Sequence, residues 1–308
     1  MKHPFFPSII GGIICISIFT FDYFQFSLIE KFIMFASFVI LPLVILLIKN
    51  KEQTKLRQTI YYFITILHFP AALLSFASIM SNKILGLGNT VSGVLSLGWL
   101  LFTFLLAVYG VLQILENKER IEEIAIGAGL IYFFIGGIWY TVYQFQLKFI
   151  LVVPTVSALS SVHFHFSSAI VPIFIGMLGR IAVKQNWYKW LVVIDITGPI
   201  LIAIGIVFSK PLEIIGVIIF ACNIVIYSTY LLKQLRKSYE KNSGNLFLTL
   251  SSLSFYGIIV ISISYPIVKR IFSLTILDFI PIYGSLYAFG FVLFGLLGWV
   301  LIRSHSRE

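Results

Sequence analysis

An all-α fold, a polytopic transmembrane helix bundle of about ten spans, is what this 308-residue sequence predicts, and three observations predict it. Hydrophobic residues make up 59% of the chain, charged residues only 11%, and mean hydropathy is +1.01, whereas a soluble domain carries about 25% charged residues. Apolar runs of about 20 residues, the length needed to cross ~30 Å of hydrocarbon as a helix, recur along the whole chain. The polar breaks between them are too short for a soluble domain, so residues 1–308 read as a single integral membrane domain.

The first span, residues 8–23, sits in MKHPFFPSIIGGIICISIFTF. Its basic start and apolar run lack a small-residue cleavage site, so it reads as a retained span and not a removed signal. The second and third cover 28–48 and 58–80, the third with Pro70 inside it. The fourth and fifth cover 91–115 and 124–143, and Gly127, Gly129, Gly136 and Gly137 in the fifth allow close helix approach. The sixth, 154–179, opens at Pro154 and contains LSSVHFHFSSAIVP. The remaining four cover 191–208, 212–232, 246–268 and 283–302, the last carrying Gly284, Gly290, Gly295 and Gly298. Two inverted halves of five spans would fit this topology, but no internal repeat is visible.

The formal net charge of +10 is spread over short loops and forms no patch or stripe, so the partner it predicts is a lipid bilayer and not nucleic acid. With the N-terminus in the cytoplasm, sixteen of the 22 basic residues fall inside. They are Lys2, then Lys49, Lys51, Lys55 and Arg57, then Lys118 and Arg120, then Arg180, Lys184 and Lys189, then Lys233, Arg236, Lys237 and Lys241, and finally Arg303 and Arg307. Lys31, Lys83, Lys148, Lys210, Lys269 and Arg270 fall outside. This positive-inside bias predicts an even number of spans with both termini inside. Trp187, Tyr188, Trp190, Trp139 and Tyr140 occur near span ends, where amphipathic rings favour the headgroup layer. Cys15 and Cys222 lie in separate apolar segments and read as small core residues.

Ionisable groups at membrane depth are costly and mark functional positions. Here they are His68, His163, His165 and Asp195, with Asn223 as a neutral polar residue; Asp22 and Glu30 lie near outer span ends and read as solvated. Tyr61, Thr65, His68, Ala72 and Ser75 keep helical spacing down one face. Pro70 leaves the Ile66 carbonyl without its usual donor beside His68. His163 and His165 are two positions apart, about 200° around a helix, so an intact helix cannot bring both to one metal ion. They flank a stripe of Ser157, Ser161 and Ser168, leaving Leu159, Val162 and Phe166 for lipid and making the sixth span a central helix. All three histidines lie about ten residues into their spans, near the midplane, and meet if spans three and six are neighbours. Asp195, one turn into span seven, reads as snorkelled or capped, and Asn223 and Cys222 as packing residues.

SVHFHFSSAIVPIFIGMLGR, TGPILIAIG and GFVLFGLLGW, in that order, resemble the YndJ-like family of bacterial membrane proteins, over most of the chain and most specifically at 163–165 with Pro172. The resemblance implies a polytopic helical bundle in the bacterial cytoplasmic membrane and no particular reaction. In the family pattern the last span begins with a His-Gly pair and has an Asn four residues later. Here those positions are Tyr283-Gly284 and Tyr287, so any activity using them is lost. A shorter similarity, over four residues, is to the heme-bearing helix of heme–copper oxidases. There a His-x-His serves hemes on opposite sides and a histidine of another helix completes one site, a part His68 would play with His165. The sequence has no adjacent His-His pair and no His-Pro-Glu element.

These residues set up three functional expectations. The leading one is a membrane protein that binds or transports a small or lipophilic compound through a midplane polar pocket of His68, His163 and His165, with Tyr61, Thr65, Ser161, Ser168 and Asp195 as further lining candidates. The second is a heme- or metal-binding redox protein using the three histidines as ligands. The third is a structural or partner-binding subunit in which the histidines only pack. No catalytic residue stands out, and a non-enzymatic role is favoured.

Overall fold

A computed structural model describes residues 6–20, 25–49, 53–83, 85–148, 153–182, 185–237, 242–272 and 276–305. Among these residues every regular element is helical. Nine described segments are long and apolar enough to cross a membrane, and the first helix adds a shorter apolar stretch, Ile9–Thr20. The expected second span coincides with the described Leu28–Ile48, and most of the others run a few residues longer than their apolar cores. Apolar side chains such as Leu101, Phe104, Ile206, Val260 and Ile263 stand exposed on the helices, as lipid-facing surfaces require. The chain is a multi-pass membrane protein of the all-α class. Asp22 and the basic Lys2, Lys51, Lys184, Lys241 and Arg307 lie outside the described residues.

By contact the chain forms two compact units, Met1–Gly176 and Met177–Glu308. Unit 1 contains α1 (Phe6–Thr20), α2 (Leu28–Phe35), α3 (Leu41–Ile48), α4 (Lys55–Lys83), α5 (Gly88–Glu116), α6 (Ile121–Gln144), α7 (Pro154–His163) and most of α8 (Ala169–Ile181). A π-helical turn, Ala36–Ile40, joins α2 to α3, and another, Phe164–Ser168, joins α7 to α8. Both turns precede a proline, Pro42 and Pro172, whose missing N–H interrupts the helical ladder. The spans Leu28–Ile48 and Pro154–Ile181 are almost wholly buried, so the expectation of a central sixth span holds.

Helix α6 meets its neighbours through glycines. A Cβ on Gly127 would lie 2.6 Å from the Gly110 carbonyl of α5, and one on Gly136 would lie 2.6 Å from His165 Nδ1. No side chain fits at either position, so the sequence's glycine pattern becomes backbone-to-backbone and backbone-to-imidazole contact. At one end of the unit, Ser27 caps α2 in a reciprocal capping box with Glu30. Glu30, expected to be solvated, is instead buried and paired with Lys83 at 2.7 Å. Tyr140, expected in an interfacial belt, is fully buried and donates to the Ser75 carbonyl at 2.7 Å.

Unit 2 contains α9 (Asn186–Phe208), α10 (Lys210–Lys237), α11 (Ser243–Phe272), α12 (Ile276–Ser285), a π-helical segment Leu286–Leu293 and α13 (Phe294–His305). Ser209 alone separates α9 from α10. The two pack closely because Gly205 faces the Glu213 backbone and Gly198 faces the Phe220 ring. Helix α11 meets the last span through Ser251, which donates to the Phe291 carbonyl at 2.6 Å. Cys15 is buried as expected, but Cys222 is exposed, because Phe220, Asn223 and Tyr227 take the inward positions of α10. Both cysteines are free.

Candidate functional site

The three histidines part company in the folded chain. In α4 the buried face is Arg57, Ile64, His68, Ala71, Ala72, Ser75 and Ser78. Thr65, placed in the polar stripe by spacing, is exposed, and its hydroxyl bonds back to the Tyr62 carbonyl at 2.7 Å. At about 100° per residue it lies some 80° from the axis through Arg57 and Ser75, beyond the buried sector. Tyr61 is half-buried and donates to the Ile45 carbonyl at 3.1 Å.

His68 reaches across to the π-helical turn of the second span. Its Nε2–H donates to the Ser37 carbonyl at 2.7 Å. That carbonyl needs a side-chain donor for a local reason. The Leu41 N–H goes to Ala36 in the π-helical register, and the next residue, Pro42, has no N–H to offer. His68 replaces the missing helical bond.

His165 lies within the other π-helical turn, 1% exposed. Its Nδ1 contacts the Ser161 carbonyl at 2.8 Å and its Nε2 contacts Trp99 Nε1 at 3.0 Å. A carbonyl only accepts and an indole N–H only donates, so the partners select the Nδ1–H tautomer. Both ring nitrogens are thereby engaged. Trp99 stacks on the imidazole with ring centroids 5.9 Å apart, and Phe133 meets it edge-on at 5.8 Å. Phe102 stands between the two buried histidines, 5.8 Å from the His68 ring and 5.7 Å from Trp99.

His163 does not join them. It is exposed, and among the described residues its only partner is the neighbouring Phe164 ring. Phe166, expected to face lipid, is buried between Phe32 and Phe35 of α2. The cause is the π-helical turn, whose i→i+5 bonding inserts one extra residue and rotates the rest of the helix about its axis. Ser161 donates to the Gly136 carbonyl at 3.2 Å, while the buried Ser157 and Ser168 hydroxyls have no partner among the described residues.

Ligation by this trio therefore fails on geometry. Among the described residues no three His, Cys, Asp or Glu side chains converge on a metal-sized site. A bis-histidine heme site needs a free nitrogen lone pair on each imidazole, and His165 offers its only one to Trp99.

Asp195 is also not where its sequence position placed it. Helix α9 begins at Asn186, five residues before the apolar core, so Asp195 lies about 13 Å along the helix and not one turn inside it. It is 0% exposed, and neither carboxylate oxygen has a hydrogen-bond partner among the described residues. Asn223, expected merely to pack, comes from the middle of α10 to lie beside it. Its amide donates one N–H to the Leu191 carbonyl at 2.9 Å, one turn before Asp195. Tyr227, one turn further along α10, accepts from Trp299 Nε1 at 3.4 Å.

Several polar partners were invisible to spacing alone. Trp99 sits mid-span, and a buried indole N–H needs an acceptor, which was the available signal. Arg57 and Glu123 are each fully buried at the α4 start and α6 start, with Arg57 paired to Glu116 at 3.2 Å and Glu123 bonded by Gln113 at 2.7 Å. Tyr283 and Tyr287 stack on one another in the last span, centroids 6.2 Å apart.

No solved structure matches the chain. "Uncharacterized membrane protein YndJ" of Bacillus subtilis (strain 168) is 34% identical over 220 residues, covering 70% of this chain and 40% of that protein. The chain thus spans well under half the length of that relative. The family model described as YndJ-like protein matches residues 31–291, which include both π-helical turns of unit 1, the buried histidines and Asp195. With that match over most of its length, the chain belongs to the YndJ-like family.

Proposed function

We propose that this chain is a single membrane-embedded module that binds and moves a small solute, and that its buried histidines hold the helices together without touching that solute. The observation that carries the reading is the unequal treatment of the intramembrane polar groups. His165 spends both nitrogens and His68 spends Nε2 on protein partners, whereas the Asp195 carboxylate is sealed in mid-helix with neither oxygen bonded among the described residues. A sealed, unbonded carboxylate costs stability, so its retention argues for a working role. Helices interrupted near mid-membrane are where transporters bind, and Pro199 lies one turn beyond Asp195. The serine, imidazole and indole contacts of unit 1 support the packing role, because they are the interhelical bonds that fix membrane bundles.

The proposed setting is the cytoplasmic membrane with both termini inside, as the basic loops favour. Reporter fusions at residues 50, 118 and 305 should report the cytoplasm and fusions at 84 and 148 the opposite side.

The functional test compares Asp195→Asn with His165→Gln in cells lacking the native copy, at matched membrane levels of each variant. Loss of the deletion complementation in Asp195→Asn alone supports the reading. Loss in His165→Gln with full activity in Asp195→Asn overturns it and returns the function to the histidine core.

A further inference from the structure

Four features of unit 2 converge on Asp195. The first is depth, since Asp195 and Asn223 both stand near the middle of long apolar helices, α9 and α10. The second is the missing counter-charge. No ion pair reaches the carboxylate among the described residues, and the polar group set against it is the neutral Asn223 amide. The groups facing it are Asn223 and Tyr227 from α10, with Trp299 of α13 behind Tyr227, and none carries a positive charge. The nearest basic residue on its own helix, Lys189, is exposed and almost two turns away.

The third feature is the backbone. Pro199 has no N–H, and its position, four residues after Asp195, makes the Asp195 carbonyl the group left without its helical donor. Asp195 therefore offers a carbonyl oxygen in addition to its two carboxylate oxygens. Carbonyls freed in this way coordinate ions in discontinuous membrane helices. The fourth is the orientation of Asn223. One N–H of its amide is held by the Leu191 carbonyl, which leaves its second N–H and its side-chain oxygen on the side of the carboxylate and of whatever the carboxylate binds.

A buried carboxylate beside a freed backbone carbonyl and a neutral amide, with no positive charge among the groups facing it, selects a compact monovalent cation. One carboxylate is too little charge for calcium or magnesium, which are held by larger carboxylate and water sets. We propose that Asp195, its own backbone carbonyl and the Asn223 side-chain oxygen bind one monovalent cation, a proton or a sodium ion, in the middle of unit 2. The site would be the coupling position of the transport reading above and rests on it only for that role, because binding is measurable without any solute.

The test uses the full chain purified in detergent and unfolded by heat. Sodium chloride is titrated against choline chloride at equal ionic strength, and pH is varied in choline alone. Binding to the folded state raises Tm by mass action, by about 3 °C or more for a well-occupied site in a chain of this size. A sodium-specific rise present in the wild type and absent in Asp195→Asn identifies sodium. A rise on lowering pH, without sodium preference and again absent in Asp195→Asn, identifies the proton. Pro199→Ala, which restores a backbone donor to the carbonyl while keeping the carboxylate, should weaken the sodium response and serves if Asp195→Asn does not fold. A wild type insensitive to both ions, or a variant that responds as the wild type does, overturns the proposal. Cation-dependent stability together with wild-type complementation by Asp195→Asn keeps the site and removes the transport role.

Discussion

The indole N–H of Trp99 donates to His165 Nε2 at 3.0 Å while the opposite nitrogen of that ring is held by the Ser161 carbonyl at 2.8 Å. An imidazole clamped at both ends between α5 and its own helix is a structural tie. Trp99→Phe keeps an aromatic ring on the imidazole but removes the donor together with part of the buried indole, so its total cost bounds the hydrogen bond from above. Interhelical bonds in membrane proteins average about 0.6 kcal/mol and reach about 1.7 kcal/mol. The coupling between Trp99→Phe and His165→Ala, read by a double-mutant cycle of thermal unfolding in detergent, should fall within that range, while Trp99→Phe alone should cost more. A Soret band from the wild type incubated with hemin, stronger than that of His165→Ala, would refute the clamp.

The His68 bond makes a sharper prediction because its cause is another residue. Ser37 lacks a helical donor on account of Pro42. In a Pro42→Ala background position 42 regains an N–H, and the Ser37 carbonyl no longer depends on the imidazole. His68→Ala should therefore cost about 1–3 kcal/mol in the wild type and measurably less beside Pro42→Ala. A double-mutant cycle reads the difference directly, and two strictly additive losses would show that His68 does not compensate the proline.

The all-α multi-pass class, the central sixth span and the glycine-lined fifth span were legible because hydropathy and residue size act locally. Of about ten expected spans, nine described segments are long and apolar enough to cross, and the first helix is shorter. The site was not, for a geometric reason. Placing His165 and Phe166 on helix faces assumes a uniform 100° step, and the π-helical turn Phe164–Ser168 breaks that step at those residues. Pro42 and Pro172 were visible in the sequence, but a proline signals an interruption without saying which carbonyl or side chain compensates. Asp195 lies five residues deeper than polarity suggests, since Asn186, Trp187 and Lys189 look like a loop yet form the first turns of α9.

Gly136 tests how tightly α6 is set against the His165 ring. A Cβ there would lie 2.6 Å from Nδ1 and 2.8 Å from Cε1, inside van der Waals contact with a ring that Trp99 and Phe133 hold from other sides. Gly136→Ala should lose about 1–3 kcal/mol, the cost of overpacking. Gly12 of α1 is the control, because a Cβ there meets nothing within 4 Å. Gly12→Ala should gain up to about 1 kcal/mol from helix propensity. Equal effects at the two positions would mean that the α6–imidazole contact is slack.

His163 separates the folded arrangement from the one its spacing suggests. On the far flank of the serine stripe it is expected to face a neighbouring helix, yet it is exposed, with the Phe164 ring beside it. Nothing polar is lost on its removal, so His163→Ala should change stability by no more than about 0.5 kcal/mol. His165→Ala removes two hydrogen bonds and an aromatic stack and should cost several times as much. If the two substitutions are equally damaging, both imidazoles face polar partners and the exposed placement of His163 is wrong. If His163→Ala is silent in stability but abolishes complementation, the exposed face of α7 is itself a working surface.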